Sequence, residues 1–586
     1  MVTSDQTTTW VLFRSYDGSL FETGAASRAS TAVVAGLAVH HLLLRKGEWH
    51  LKAPTIIETW LCSFPILYSL EALWGAKNNM GNAFNALYLM SIFALSLLIS
   101  IALYRVFFHK LNSFPGPRLA AISKLWHSAN CVGAKNHLLL ERMRKQYGDF
   151  VRTGCFPFSI RTTPTAAHQL TGSMESLGPN EITIFDPETL VKIDGPGSKT
   201  RKSDFYDFLW PAAGLVNFRD VSFHDARRRI WMQAVSAKNL PVYESQIAEH
   251  AEKWEKLLGT HADQGTMVPF RDMAYWYAFD VMGMFMLSES FDMISSSESH
   301  WAVDNLRRAM KILGPCQMTP WLAQIGFKYL KGYWLVRDWH ATVNWCRERL
   351  QDRIKSDDGA TNIASHLISD SIRNESVEKD ENLLTGEAVV GIIAGSDTTG
   401  PTLTMVFYLL ARHPEHQAKL YEELQQIDVT DREALKTLPH LNAVIDETMR
   451  CYPAIMTGGN RDTPPEGMTI AGRFIPGDVT IVSPRYTIFR SERCYVNPDE
   501  FIPERWTSRP DLIKDSRSFR PFASGRYSCV GKSLALTQLR VVTALFVSKF
   551  RFTFASGDDP DSTVKGLKDQ FTTAPGPLKL MFQARK

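Results

Sequence analysis

The chain has 586 residues, 45% of them hydrophobic and 22% charged, with a formal net charge of +4. That is enough chain to bury a large core, and the balance is that of a folded protein rather than a disordered one. The small charge and the lack of any long Lys/Arg-rich run give no case for a nucleic-acid binder, and there is no internal repeat or long low-complexity tract. The eight cysteines (Cys62, Cys131, Cys155, Cys316, Cys346, Cys451, Cys494, Cys529) form no C-x-x-C pair and have irregular spacings. This argues against a zinc site and against a disulfide framework, and for free thiols in a reducing compartment.

The N-terminal region is apolar. Ala86 to Tyr104 carries no charge over 19 residues, close to the roughly 20 residues a helix needs to cross a bilayer. Arg105, His109, Lys110, Arg118 and Lys124 follow, which predicts that the C-terminal side faces the cytosol. Two weaker apolar segments, Thr31 to Leu44 and Thr59 to Leu70, precede it. They read either as further spans or as interfacial helices, so residues 1–110 form an anchor with one to three transmembrane helices. The Phe-Pro-Gly-Pro run from Phe114 to Pro117 then breaks the chain. No second linker is evident in residues 111–586, which read as one domain.

Most of that domain has helical periodicity. Glu381 to Glu415 is apolar nearly all round, as in a helix buried in a large core, and should end before Pro414. Midway it carries Gly395, Asp397, Thr398, Thr399, Gly400 and Pro401. An acid and hydroxyls there are costly without partners or a task, although a harmless kink is the blander reading. Leu441 to Ala454 is a second helix in which Glu447 and Arg450 share a face. Gly467 to Pro484 reads as short strands with Gly and Pro turns, and Phe501 to Asp511 as a Pro-broken loop holding Glu504 and Arg505.

The run "RPFASGRYSCVGK" frames Cys529 between Gly525 and Gly531, just ahead of a helical pattern. Glycines permit close approach, and a thiolate gains from a helix N-terminus. A cysteine ligand to heme iron would require this setting, and a buried cysteine in a tight turn would also fit it.

In order, Asp397-Thr398, Glu447 with Arg450, Pro503-Glu504-Arg505 and Phe522…Gly525…Cys529…Gly531 resemble the motifs of the cytochrome P450 family, from about residue 110 onward. The resemblance implies a mainly α fold with small β-sheets, preceded by the N-terminal transmembrane helices. It implies heme b with Cys529 as axial thiolate, which favours O–O cleavage. Glu447, Arg450 and Arg505 would form a buried charge cluster, and Asp397 and Thr398 the acid–alcohol pair that delivers protons to oxygen. Ala394 and Gly395 would border the oxygen pocket. Phe522, Gly525, Tyr527 and Gly531 would lie against the heme. His224 (where the family usually has Trp), Arg228 and Arg461 would meet its propionates, with the inward member of Arg227, Arg228 and Arg229 left open. Tyr527 stands where the family usually has Arg or His, as in a branch of fungal enzymes that includes the tryprostatin hydroxylase kind.

The resemblance further implies an endoplasmic reticulum membrane protein facing the cytosol, electrons from NADPH through NADPH–cytochrome P450 reductase, O2, and an apolar secondary metabolite (terpenoid, alkaloid or polyketide). Asp204 to Phe218, and Met456 with its neighbours, would line the substrate pocket. The rivals are a non-oxygenating isomerase or dehydratase, and a membrane receptor or carrier. Asp149 to Gly154 and Pro179 to Leu190 resemble the two strands of a family hairpin, separated here by the 24 residues Cys155 to Gly178. These read as a translated intron or as a tolerated insertion, since loop closure grows only slowly with length.

Overall fold

The computed structural model describes residues 18–45, 47–74, 78–117, 120, 122–153, 180–209, 213–356 and 362–585. The segment Cys155 to Gly178, Arg118 and the middle of the Asp204–Phe218 loop lie outside them. The described residues divide into two compact units, one ending at Asn112 and the other beginning at Ser113.

In the first unit the apolar segments form helices α1 (Gly18–Ala38), α2 (Ala53–Trp74) and α3 (Asn79–Leu103). Among the described residues two stretches, Trp49–Leu73 and Asn79–Phe108, are long and apolar enough to cross a membrane. The α1 segment does not meet that mark. One polar knot joins all three helices: Arg28 pairs with the buried Glu71 at 2.9 Å, and Asn85 donates to the same carboxylate at 2.9 Å. Charged groups inside an apolar bundle persist when paired in this way.

Among its described residues the second unit is helical around one large core with smaller clusters beside it, and has four small sheets. The elements that position the site are α4 (Glu188–Asp194), α5 (Val221–Ala234), α6 (Leu240–Gln264), α7 (Phe270–Leu287), α8 (Val377–Arg412), α9 (Pro414–Leu424), α10 (Pro439–Cys451) and α11 (Lys532–Lys549). Helix α8 is buried along nearly its whole length, which is why its sequence lacks a polar face. It lies close against α7 because small residues face that helix. A Cβ on Gly391 would meet Met286, one on Gly395 would meet Met282, and one on Gly400 would come within 3.1 Å of the Ala274 carbonyl. Trp254 of α6, Phe270 of α7, Phe407 of α8 and Phe546 of α11 meet with centroids 4.4 to 5.7 Å apart. Truncating one such buried ring typically costs 3–5 kcal/mol.

The largest sheet runs in the order β1 (Phe150–Val151), β2 (Glu181–Ile184), β7 (Thr480–Val482), β4 (Arg461–Asp462), β3 (Arg201–Lys202). β1 and β2 pair antiparallel with Phe150 opposite Ile184, so the hairpin expected around the extra segment is present. β5 (Met468–Ile470) pairs with β6 (Arg473–Ile475), as the Gly/Pro-punctuated sequence predicts. Two further pairs, β8 (Phe550–Phe554) with β11 (Leu580–Ala584) and β9 (Lys568–Gln570) with β10 (Thr572–Ala574), complete the sheets.

Glu447 of α10 accepts from Arg450 at 2.8 Å, from Arg505 at 3.0 Å and from the Trp506 indole at 3.0 Å. All three charged groups are fully buried, and both arginines spend their remaining N–H groups on backbone carbonyls. The i,i+3 spacing read in the sequence thus becomes a closed network in which no charge is left alone.

Candidate active site

The loop before α11 is set by its glycines, each in its own way. Gly525 has φ +61, and a Cβ there would lie 2.3 Å from the Asp194 carbonyl at the end of α4. Its missing side chain therefore admits the neighbouring backbone and a left-handed turn. Gly531 has only the Cys529 sulfur nearby, at 3.9 Å, so its missing side chain keeps space beside that atom. Phe522 anchors the loop by accepting the Cys529 N–H at 2.9 Å. The other cysteines described in this unit are buried or half-buried, whereas Cys529 is exposed although protein surrounds it closely. Its surface therefore faces a space inside the fold. Burial pushes its thiol up, against the pull of the Gly531 N–H, Arg228 and Lys532. No disulfide forms among the described cysteines.

Helix α5 holds this loop and α8 together. Arg228 donates to the Ser528 carbonyl at 2.6 Å and to its hydroxyl at 2.8 Å. Arg227 instead forms a buried pair with Glu387 of α8, to which Trp231 also donates, and Arg229 is exposed. The structure thus selects Arg228 as the arginine that reaches the cysteine loop. Further along α8, Ala394 is exposed and Gly395 and Thr398 are half-exposed amid buried neighbours, so this stretch borders interior space. Gly395 serves packing against Met282 on its Cβ side, and Ala394 is the more open of the two. The Thr398 hydroxyl donates to the Ala394 carbonyl at 2.7 Å, which leaves its lone pairs free to accept. Asp397 is buried with Oδ1 unpartnered, and burial pushes its carboxyl up to about 6 despite Arg307.

A third group is cationic. Arg461 is buried, bonded to Asp194 at 2.9 Å and to the Tyr206 hydroxyl at 2.7 Å, with its guanidinium 4.5 Å from the Tyr527 ring centre. Opposite it in the β3–β4 ladder stands Lys202, also buried. The Lys202 ammonium donates to the Leu215 carbonyl and sits 5.2 Å from the Tyr527 ring centre, with no ion pair among the described residues. Like charges directly opposite in a ladder repel. Burial, then Arg461 and Arg228, push Lys202 down to about 6. His224 is buried against Tyr527 and beside Asp225; burial and Lys202 hold it down to about 4, so it stands here as a neutral imidazole. Among the described residues the buried Tyr527 hydroxyl has no partner of good geometry. An excess of buried cations and an idle hydroxyl are what a bound dianion would satisfy, so these residues fit the carboxylates of a heme. Lys202 escaped the sequence reading because a lysine in a polar loop carries no signal; only the β3–β4 register places it opposite Arg461.

One pocket expectation changes. Met456 is fully buried in a small cluster with Tyr486 and Leu567, so it lines no accessible space, whereas the adjacent Ala454 and Ile455 are partly exposed. Phe571, unmarked in the sequence, holds the β9–β10 turn at φ +75 with its ring 5.6 Å from that of Phe205. A bulky residue at positive φ is strained and marks a place worth testing for function.

The family model named cytochrome P450 matches residues 188–582. The chain belongs to the cytochrome P450 family. It is 32% identical to tryprostatin B 6-hydroxylase of Aspergillus fumigatus, over 90% of this chain and 91% of that protein. It is 36% identical to cytochrome P450 monooxygenase sthD of Phaeosphaeria nodorum, over 84% and 99%. Identity to cytochrome P450 monooxygenase FCK2 of Fusarium pseudograminearum is 33%, over 94% and 97%. The crystal structure of the cytochrome P450DA heme domain shares the fold, with a TM-score of 0.62 at 17% identity, over 81% of this chain and 98% of that one. As a P450 the chain is a heme-thiolate monooxygenase that uses O2, a redox partner and a small-molecule substrate. The receptor or carrier alternative falls with this assignment, and the non-oxygenating one is not favoured.

Proposed function

We propose that the Cys529 thiolate would hold heme b, and that Lys202, Arg228, Arg461 and Tyr527, with neutral His224 beside them, would receive its propionates. The observation that carries this reading is the exposed Cys529 on a loop held by Arg228, beside buried Lys202, which has no ion pair among the described residues, and buried Arg461, which shares its one carboxylate, Asp194, with Arg485. Phe522, Gly525 and Gly531 shape the loop against the macrocycle. The bound heme supplies oxygen activation, with the thiolate favouring O–O cleavage. Asp397 and Thr398 serve proton delivery. Near neutral pH Asp397 exchanges a proton readily, because its carboxyl sits at about 6. Thr398 holds its own proton on the Ala394 carbonyl and offers lone pairs to the interior space. The overall change is RH + O2 + two electrons + two protons giving ROH and water.

The proposed electron source is NADPH, through NADPH–cytochrome P450 reductase, one electron at a time. Residues 1–110 form the membrane anchor and 111–586 the catalytic domain. The cationic residues after the long apolar helix support a cytosolic face on the endoplasmic reticulum. The substrate is an apolar secondary metabolite, a terpenoid, alkaloid or polyketide, as the hydroxylase and monooxygenase names of its relatives support.

The test is the reduced-plus-CO difference spectrum of membranes containing the protein. The native chain should show the strongly red-shifted band of a thiolate-ligated heme, and Cys529→Ser should lose it. A red-shifted band that survives in Cys529→Ser would overturn the assignment.

A further inference from the structure

Outside the proposed heme site, three side chains from three different elements converge. His416 lies in the first turn of α9, His440 in the first turn of α10, and Glu504 in the turn Pro503–Trp506. One ligand atom from each lies within 4.8 Å of the other two. The imidazole rings stack at 5.3 Å and 30°, and His416 Nδ1 is 3.9 Å from Glu504 Oε1. Both histidines are about nine-tenths buried or more, at 9% and 5% exposure, yet His416 Nδ1 and His440 Nε2 have no hydrogen-bond partner among the described residues. Two idle buried ring nitrogens facing one carboxylate form an incomplete polar group that is costly as it stands.

We propose that His416, His440 and Glu504 form a binding site for a zinc-like divalent cation. Two imidazoles, one carboxylate and an open fourth position suit zinc. A tetrahedral ion with metal–ligand bonds of about 2 Å would hold its ligands roughly 3.3 Å apart, so small side-chain rotations close the site. The Glu504 side chain is about a quarter exposed, which leaves an entry path. Lys419 now occupies part of the position: its ammonium donates to Glu504 Oε1 at 2.8 Å. It is the ion's competitor. The site adjoins the buried charge network, because His440 begins the helix that carries Glu447 and Arg450, and Glu504 precedes Arg505. An ion there would brace α9, α10 and the turn against one another.

The experiment uses untagged holoprotein, stripped with a chelator and titrated with zinc alone by calorimetry, with metal content per heme measured after gel filtration. Native protein should retain one zinc per heme more than His416→Ala or His440→Ala, and zinc should raise its thermal midpoint but not theirs. Lys419→Met should bind zinc at least threefold more tightly. Equal zinc content in native and histidine-substituted proteins would overturn the site. If a histidine variant fails to give the red-shifted CO band, Lys419→Met decides: unchanged or weaker affinity in that exposed-lysine variant overturns the proposal as well.

Discussion

Asp397, the acid proposed for proton delivery, would couple function to stability through its burial. Its carboxyl sits at about 6, against an ordinary value near 3.9. Folding therefore favours the protonated form. That contribution is fully present below about pH 4, and it is lost as pH rises through about 6. Asp397→Asn keeps the shape without the charge. It should raise the thermal midpoint near pH 8, by the equivalent of at most roughly 3 kcal/mol, and the gain should shrink as the pH is lowered toward about 5. Calorimetry across that range checks the sign. The same variant should lower product formation about a hundredfold, the usual size of a lost proton-transfer group. Greater stability with less turnover is the expected signature of a functional residue.

At the scale of elements, the β3–β4 ladder and helix α10 make opposite arrangements of charge. In the ladder, Lys202 and Arg461 face each other with Asp194 as the nearest compensation. Bound propionates would relieve that repulsion. Lys202→Met should therefore speed transfer of heme to an acceptor apoprotein several-fold while leaving the position of the CO band unchanged. An unaltered transfer rate would show that Lys202 does not hold the cofactor. Around α10 the charges close on themselves: Arg450 and Arg505 share Glu447, and all three charged groups are fully buried. Arg450→Met leaves a buried carboxylate short of a partner, at a cost of about 3–5 kcal/mol. It should yield little or no heme-loaded protein, read as CO-binding pigment per unit of chain. Such a loss is specific to a closed network, since an exposed pair such as Lys565 with Asp559 contributes little.

For the whole molecule, the question is what surrounds the catalytic unit. β1 and β2 already pair in register on either side of the extra segment. Joining Thr153 to Asn180 by a short turn in place of residues 154–179 should preserve the CO band and the yield of pigment. Loss of the pigment would show that the segment is needed. Sequencing the transcript separates the two readings of its origin, because a message that encodes Cys155 to Gly178 excludes the intron. Removing residues 1–110 should shift the pigment from the membrane to the soluble fraction, checked by sedimentation.

Some of this was written in the chain itself. The period of apolar residues foretold α8 and α10, the Gly and Pro punctuation foretold β5 to β7, and the order of four motifs foretold the family. These signals are local, or depend on order alone, so they survive without coordinates. Three adjacent arginines, by contrast, look alike in a sequence, and only packing sends Arg227 to Glu387, Arg228 to the Cys529 loop and Arg229 to solvent. Met456 and Ile455 are neighbours in the chain, yet one is sealed in a cluster and the other reaches accessible space. Lys202 gains its meaning from Arg461, more than 250 residues away, and His416 from His440 and Glu504. Periodicity fixes which face of an element is buried. Which distant charges and ring nitrogens then meet depends on how the elements dock, and that was decided by the tertiary structure.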